Sequence, residues 1–171
     1  GNLNLKLDTN GEFELFGDLN ISEGGYNFTI PAIGINKEFN VVPGSRISWY
    51  GDPYAGILDL IATYRQLADI SDYDIYLDEG TGQKYPMLVK LGLEGEMLSP
   101  VINFKIELED SQISPTSNVG QALSGINNDE QELKRQVFSL LILRKFSPRS
   151  SFDVGGGALQ GSLSEFLTNQ L

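Results

Sequence analysis

The sequence predicts a mainly β fold: an antiparallel sheet with one shared apolar face, carrying two short helices at its C-terminal end. Two observations predict it. Apolar residues recur at every second position through most of the first 108 residues, as in Tyr26, Phe28 and Ile30, and turn residues separate the runs. A period of two sends alternate side chains to opposite faces, so each strand has an oily side and a wet side. From Asp110 the composition shifts to Ser, Asn and Gly and then to helical spacing. Residues 1–110 are accordingly expected to form the sheet with its apolar face. Residues 111–171 are expected to form a loop and helical segment of the same domain.

Taken in order, Leu3, Leu5 and Leu7 alternate with polar residues, and Thr9-Asn10-Gly11 marks a hairpin turn. Asp8-Thr9-Asn10-Gly11 has the opening of a calcium loop, but the later ligands are missing and a plain turn is favoured. Phe13, Leu15, Leu19 and Ile21 give a second strand, with Gly17 as a bend or bulge. After Ser22-Glu23-Gly24-Gly25 come Tyr26, Phe28 and Ile30, then Ile47 and Trp49, then Leu58, Leu60, Ala62 and Tyr64. Pro43-Gly44 and Gly51-Asp52-Pro53 are turns. Arg65 to Ile70 reads as a short connection. Tyr73, Ile75 and Leu77 read as a strand, followed by the polar loop tip Asp78 to Gly82. Met87, Val89, Leu91 and Leu93 form the next strand, and Ile102, Phe104, Ile106 and Leu108 the last.

Ser111 to Asn128 reads as a loop. Asp129 has the form of a helix N-cap, with Glu130 and Glu132 in the first turn. Leu133, Val137, Leu140, Leu141 and Arg144 follow at helical spacing, and Phe146-Ser147-Pro148 stops the helix. Asp153 to Gly157 lacks the Gly-Lys-Ser/Thr ending of a phosphate loop and reads as a linker. Ser162-Leu163-Ser164-Glu165 is a capping box that opens a second short helix.

Bulk properties narrow the function. With 12 basic and 23 acidic residues the net charge is −11, which argues against nucleic acid and against general adhesion to anionic lipid. The absence of Cys excludes thiolate metal sites and disulfides. The absence of His removes the usual general base and every His-containing triad, so no catalytic residue, cofactor or metal is assigned. Carboxylate pairs such as Asp78-Glu79 sit in loop contexts and read as solvated turns. No signal peptide or membrane-spanning run is present. The start inside a strand pattern and the abrupt end suggest an excised piece of a longer protein, with Gly1 left by a tag.

Several stretches carry a resemblance. They are Gly25-Tyr26-Asn27-Phe28, Gly44 through Pro53, Leu58 through Tyr64, Leu91-Gly92-Leu93 and Pro100 through Phe104. Gln136 through Leu141 and Asn169-Gln170-Leu171 follow in the same order. Together they resemble the C-terminal domain of TamB, the translocation and assembly module subunit, within the AsmA-like family of bridge-like lipid carriers. The family's N-terminal membrane helix and long β-solenoid are not in this sequence. The resemblance implies a periplasmic domain in the envelope of a Gram-negative bacterium, from a parent chain anchored in the inner membrane. It implies a strongly curved, taco-like antiparallel sheet over residues 1–110, whose apolar concave face is a groove that carries phospholipid acyl chains between inner and outer membranes. It also implies a BamA- or TamA-like outer-membrane barrel as partner.

The physics of a groove stands beside the resemblance. Covering a methylene is worth roughly 0.8 kcal/mol, so a sixteen-carbon chain is worth on the order of 12 kcal/mol. An apolar trough therefore lowers the barrier to moving lipid through water. About eight strands at about 4.8 Å spacing would give roughly 35–40 Å of trough. The expected lining is Leu5, Leu15, Tyr26, Phe28, Ile30, Ile47, Trp49, Leu58, Leu60, Val89, Leu91, Leu93, Ile102, Phe104 and Ile106. The bland alternative is an ordinary core beneath a second sheet or a helix. Lys134, Arg135, Arg144, Lys145 and Arg149 cluster near the helix and are expected to meet lipid headgroups or a partner. Trp49 suits either a core anchor or a lipid contact. Two other functions remain open. One is assistance to barrel-protein assembly and secretion by β-augmentation. The other is sugar stacking on Trp49, Tyr50 and Tyr54.

Overall fold

The computed structural model describes residues 1–74, 82–109 and 113–149. Eight strands form one antiparallel sheet: β1 (Asn2–Leu7), β2 (Phe13–Ile21), β3 (Gly25–Ile30), β4 (Ile35–Val41), β5 (Ser45–Gly51), β6 (Ile57–Asp69), β7 (Lys84–Glu96) and β8 (Val101–Leu108). Two helices follow, α1 (Asn118–Asn128) and α2 (Glu130–Leu143).

The strand order has a fork. β7 lies along one edge of β6, and the other edge is shared. Val41 pairs with Ala62 at one end of that shared edge, and Ile47 pairs with Leu58 at the other. β4 and β5 thus run end to end, with residues Val42–Gly44 between them. On the far side β3 pairs with β4 and β2 with β5. The eight strands therefore occupy six ranks, and five gaps of about 4.8 Å make a sheet about 24 Å across. That is narrower than a linear stack of eight would give.

Seven of the eight strands read from the alternation are present. The eighth, over Tyr73–Leu77, lies mostly outside the described residues; Tyr73 itself closes a short 3₁₀ turn over Ile70–Asp72. The strand that the alternation missed is β4, although Ile35, Lys37, Phe39 and Val41 do alternate. A charged lysine in the apolar register hid it: Lys37 sits half-buried, its ammonium 5.7 Å from the centre of the Tyr64 ring. Arg65 to Asp69 is a continuation of β6, not a connection, because β7 supplies backbone partners as far as Lys84 opposite Asp69.

The sheet is not strongly curled. A strand layer with one oily face must cover it, and here two helices do so. Val119, Leu123 and Ile126 of α1 and Leu133, Val137, Phe138, Leu140 and Leu141 of α2 join Phe39, Met87, Val89, Leu91 and Ile106 of the sheet in one buried cluster. Covering by helices removes the need for the sheet to wrap on itself.

α1 corrects the expectation of a loop over Ser111–Asn128. Ser117 caps it by accepting from the Gly120 N–H at 3.1 Å, and its buried stripe recurs every three or four residues. Ser, Asn and Gly are weak helix formers, so tertiary packing decided the outcome. α2 starts where expected, with the Asp129 carboxylate accepting from the Gln131 and Glu132 N–H groups at 3.1 Å. It stops one residue earlier than the spacing implied, since Arg144 is its left-handed cap. The helix expected from Ser162 lies outside the described residues.

Candidate functional site

The apolar face of the sheet is the candidate site, and register decides its composition. Cross-strand partners share a face. The register pairs Leu5 with Leu15, Ile47 with Leu58, Leu60 with Leu93, and Tyr64 with Val89. It also pairs Leu93 with Ile102, Leu91 with Phe104 and Val89 with Ile106. Tyr26 lies opposite Phe39, which shares its face with Val41 and hence with Ala62. All fifteen apolar positions singled out above therefore lie on one face. The fork keeps them there, because the pairing with β6 shifts by two residues between β4 and β5, which leaves the parity unchanged.

The face is covered unevenly. Val89, Leu91 and Ile106 are fully buried, and Phe28, Trp49, Leu58 and Leu93 are nearly so. Tyr26, Ile30, Ile47, Leu60, Ile102 and Phe104 pack at the rim of the core. Leu15 is half-buried. Leu5 is 56% exposed and stands with Leu3, Leu7 and Phe13 in an apolar strip that the helices do not reach. Edge-to-face contacts link sheet to helix: Phe39 to Phe28 at 5.9 Å, Phe28 to Phe104 at 5.9 Å, and Phe104 to Phe138 at 6.2 Å.

Two amide side chains hold the helical layer in place, and neither was given a role from sequence. Asn127 accepts from the Ile106 N–H at 2.9 Å and donates to its carbonyl at 2.8 Å. Gln136, fully buried, does the same to Ser147 with both bonds at 2.9 Å. The available signal was an amide placed in or beside a buried helical stripe, as Gln136 lies three residues after Leu133.

Trp49 is an anchor of its own corner. Its indole N–H donates to the Pro53 carbonyl at 3.0 Å, and Gly56 leaves room for the ring. Tyr50 and Tyr54 are strongly exposed, but strand alternation turns Tyr50 to the opposite face from Trp49. The three do not form a stacking platform. The Asp8 turn is a local motif, its carboxylate accepting from the Asn10 and Glu12 N–H groups.

The five cations are not one cluster of equals. Lys134 pairs with Glu130 at 2.7 Å and Arg135 with Glu132 at 2.6 Å. The Glu130 pair is one reason that carboxyl lies below its ordinary range. Arg149 lies near Tyr73, whose hydroxyl is pushed up by burial and then by the Glu132 charge. Arg144 and Lys145 are exposed at the end of α2.

The family model for the TamB C-terminal domain matches residues 1–171. The chain belongs to the TamB C-terminal domain family. No curated protein and no solved structure gives a match. The TamB match covers the sheet, the fork and both helices. Among the described residues, no helix is long and apolar enough to cross a membrane, and no group of acidic side chains is placed to hold a metal.

Proposed function

We propose that this chain is the periplasmic C-terminal domain of a TamB-like envelope protein, without enzymatic activity, that offers its apolar face to phospholipid acyl chains passing between inner and outer membranes. The observation that carries the proposal is the continuity of that face. One register runs from the buried Val89, Leu91 and Ile106 to the uncovered strip of Leu3, Leu5, Leu7 and Phe13. A lipid tail would reach the strip first. It would extend along the remaining face only where α1 and α2 give way. Sheet and helices act in this proposal as one domain, the helices covering in the absence of lipid what lipid covers in its presence. The cost of exposing a methylene, roughly 0.8 kcal/mol, supplies the reason that one cover must replace the other.

The test is native mass spectrometry of protein purified without detergent and exposed to phospholipid. A Leu5→Asp, Phe13→Asp variant keeps the buried core, since both positions are at least half exposed. Phospholipid adducts on the parent chain that are lost in the variant support the proposal. Equal adducts on both, or none on the parent, overturn it.

A second proposal rests on a separate observation. Among the described residues β1 pairs only with β2, and its other edge presents backbone donors and acceptors. An edge strand with leucines on one face is a template for another strand. A BamA- or TamA-like barrel, or a nascent barrel strand in assembly, would pair there. Backbone-methylated peptides failing to compete where unmodified ones succeed would support it.

A further inference from the structure

We propose that the end of α2 is a docking tip for an anionic lipid surface, formed by Ile142, Leu143, Arg144 and Lys145, separate from the apolar face of the sheet. Four observations meet at this turn. Ile142 and Leu143 are 40% and 58% exposed, although Leu140, Leu141 and Phe146 on either side are fully buried. Arg144 and Lys145 are exposed, and among the described residues neither enters an ion pair, unlike Lys134 and Arg135. The tip is rigid: the Ser139 hydroxyl donates to the Lys145 carbonyl at 2.7 Å, and Gln136 clamps Ser147. Arg144 has φ 59°, and every other described residue with positive φ is glycine. A left-handed cap is glycine's position, and any Cβ there costs stability. An arginine retained at that cost is explained by what its side chain does.

Two exposed apolar residues beside two cations that are unpaired among the described residues match the chemistry of a membrane interface. The apolar pair enters the headgroup boundary while the cations meet phosphate. Four residues are too little surface for a stable protein interface, which needs about 800 Å² per partner. Insertion into an interface has no such requirement. The net charge of −11 gives the contact an orientation. Most of the body is repelled by an anionic surface, and the repulsion is least when the cationic tip points toward it.

Flotation with phosphatidylcholine vesicles carrying about one third phosphatidylglycerol tests this, with pure phosphatidylcholine vesicles beside them. Binding is expected only to the anionic vesicles and is expected to fall steeply with salt. Lys145→Ser should weaken it about fivefold, and the pair Ile142→Ser with Leu143→Ser at least as much. Arg144→Gly is the decisive variant. It should raise Tm by about 2–4 °C while weakening vesicle binding, whereas a purely structural arginine would lower Tm or leave it unchanged. Binding that survives the tip substitutions, that is equal on both vesicle types, or that is lost instead in Leu5→Asp, Phe13→Asp overturns the proposal. The last outcome would move membrane contact to the β1–β2 strip. Loss of lipid adducts in that strip variant with vesicle binding intact would separate groove from tip.

Discussion

Asn127 holds both backbone polar groups of Ile106, its side-chain amide taking the place of a neighbouring strand on the outer edge of β8. One residue thereby occupies that edge at Ile106 and fixes the helical layer over the apolar face. Sheet edges left open invite further strands, so the clamp also decides where strands cannot add.

Replacing Asn127 by Ala should destabilise the chain by about 1–3 kcal/mol in urea unfolding, since it leaves two backbone groups without their partner. The Ile106 amide should then exchange its hydrogen much faster. Unchanged protection of that amide would show that the clamp is incidental.

Phe138 bridges helix and sheet through Phe104, 6.2 Å away. Phe138→Ala should cost about 3–5 kcal/mol. Leu5→Ser, at a position 56% exposed, should cost less than about 0.5 kcal/mol. A similar loss from both would mean that the strip is buried in solution.

Gly17 has φ 113°, and a Cβ there would stand 1.9 Å from the Asn2 carbonyl oxygen. Gly17→Ala should therefore loosen β1 from β2 while the helix-covered core stays folded. Limited proteolysis should detect it as earlier cleavage within the first ten or so residues.

Glu107 bridges Lys90 and Lys105, which lie opposite each other across β7 and β8. Partial burial raises its carboxyl, but hydrogen bonds from Lys105 and Lys90 and their charges outweigh that and hold it below the ordinary value of 4.5. A depressed carboxyl adds stability that is present above the unfolded-state value. That stability is lost as pH falls through the folded-state value. Glu107→Gln should thus lower stability at neutral pH by about 0.5 kcal/mol, a small figure because the pair is partly solvated. The difference should fade as pH drops below the ordinary carboxylate range and shrink with added salt. A difference that persists in acid would point to packing as its source.

Within each strand, the sequence alone determined which residues share a face, because period-two alternation is local. Whether Leu5, Phe28, Leu58, Leu91 and Ile106 meet on one face of the sheet was not legible, since one bulge inverts the faces, and the strand register decided it. Caps and turns were legible because they too are local: Asp129, Pro43-Gly44 and Asn10-Gly11 act within a few residues of themselves. What lies over the face was not legible. Alternation says that a face is apolar, but it carries no sign of whether lipid, a second sheet or a helix buries it. That was decided by contacts far apart in sequence, as Phe28 meets Phe104 and Phe104 meets Phe138. α1 exists as a helix because Leu123 and Ile126 find that face, against the weak propensity of its own Ser, Asn and Gly residues. The fork between β4 and β5 likewise depended on which edge of β6 each found, and hydrogen-bond pairing between distant strands is a property of the folded chain.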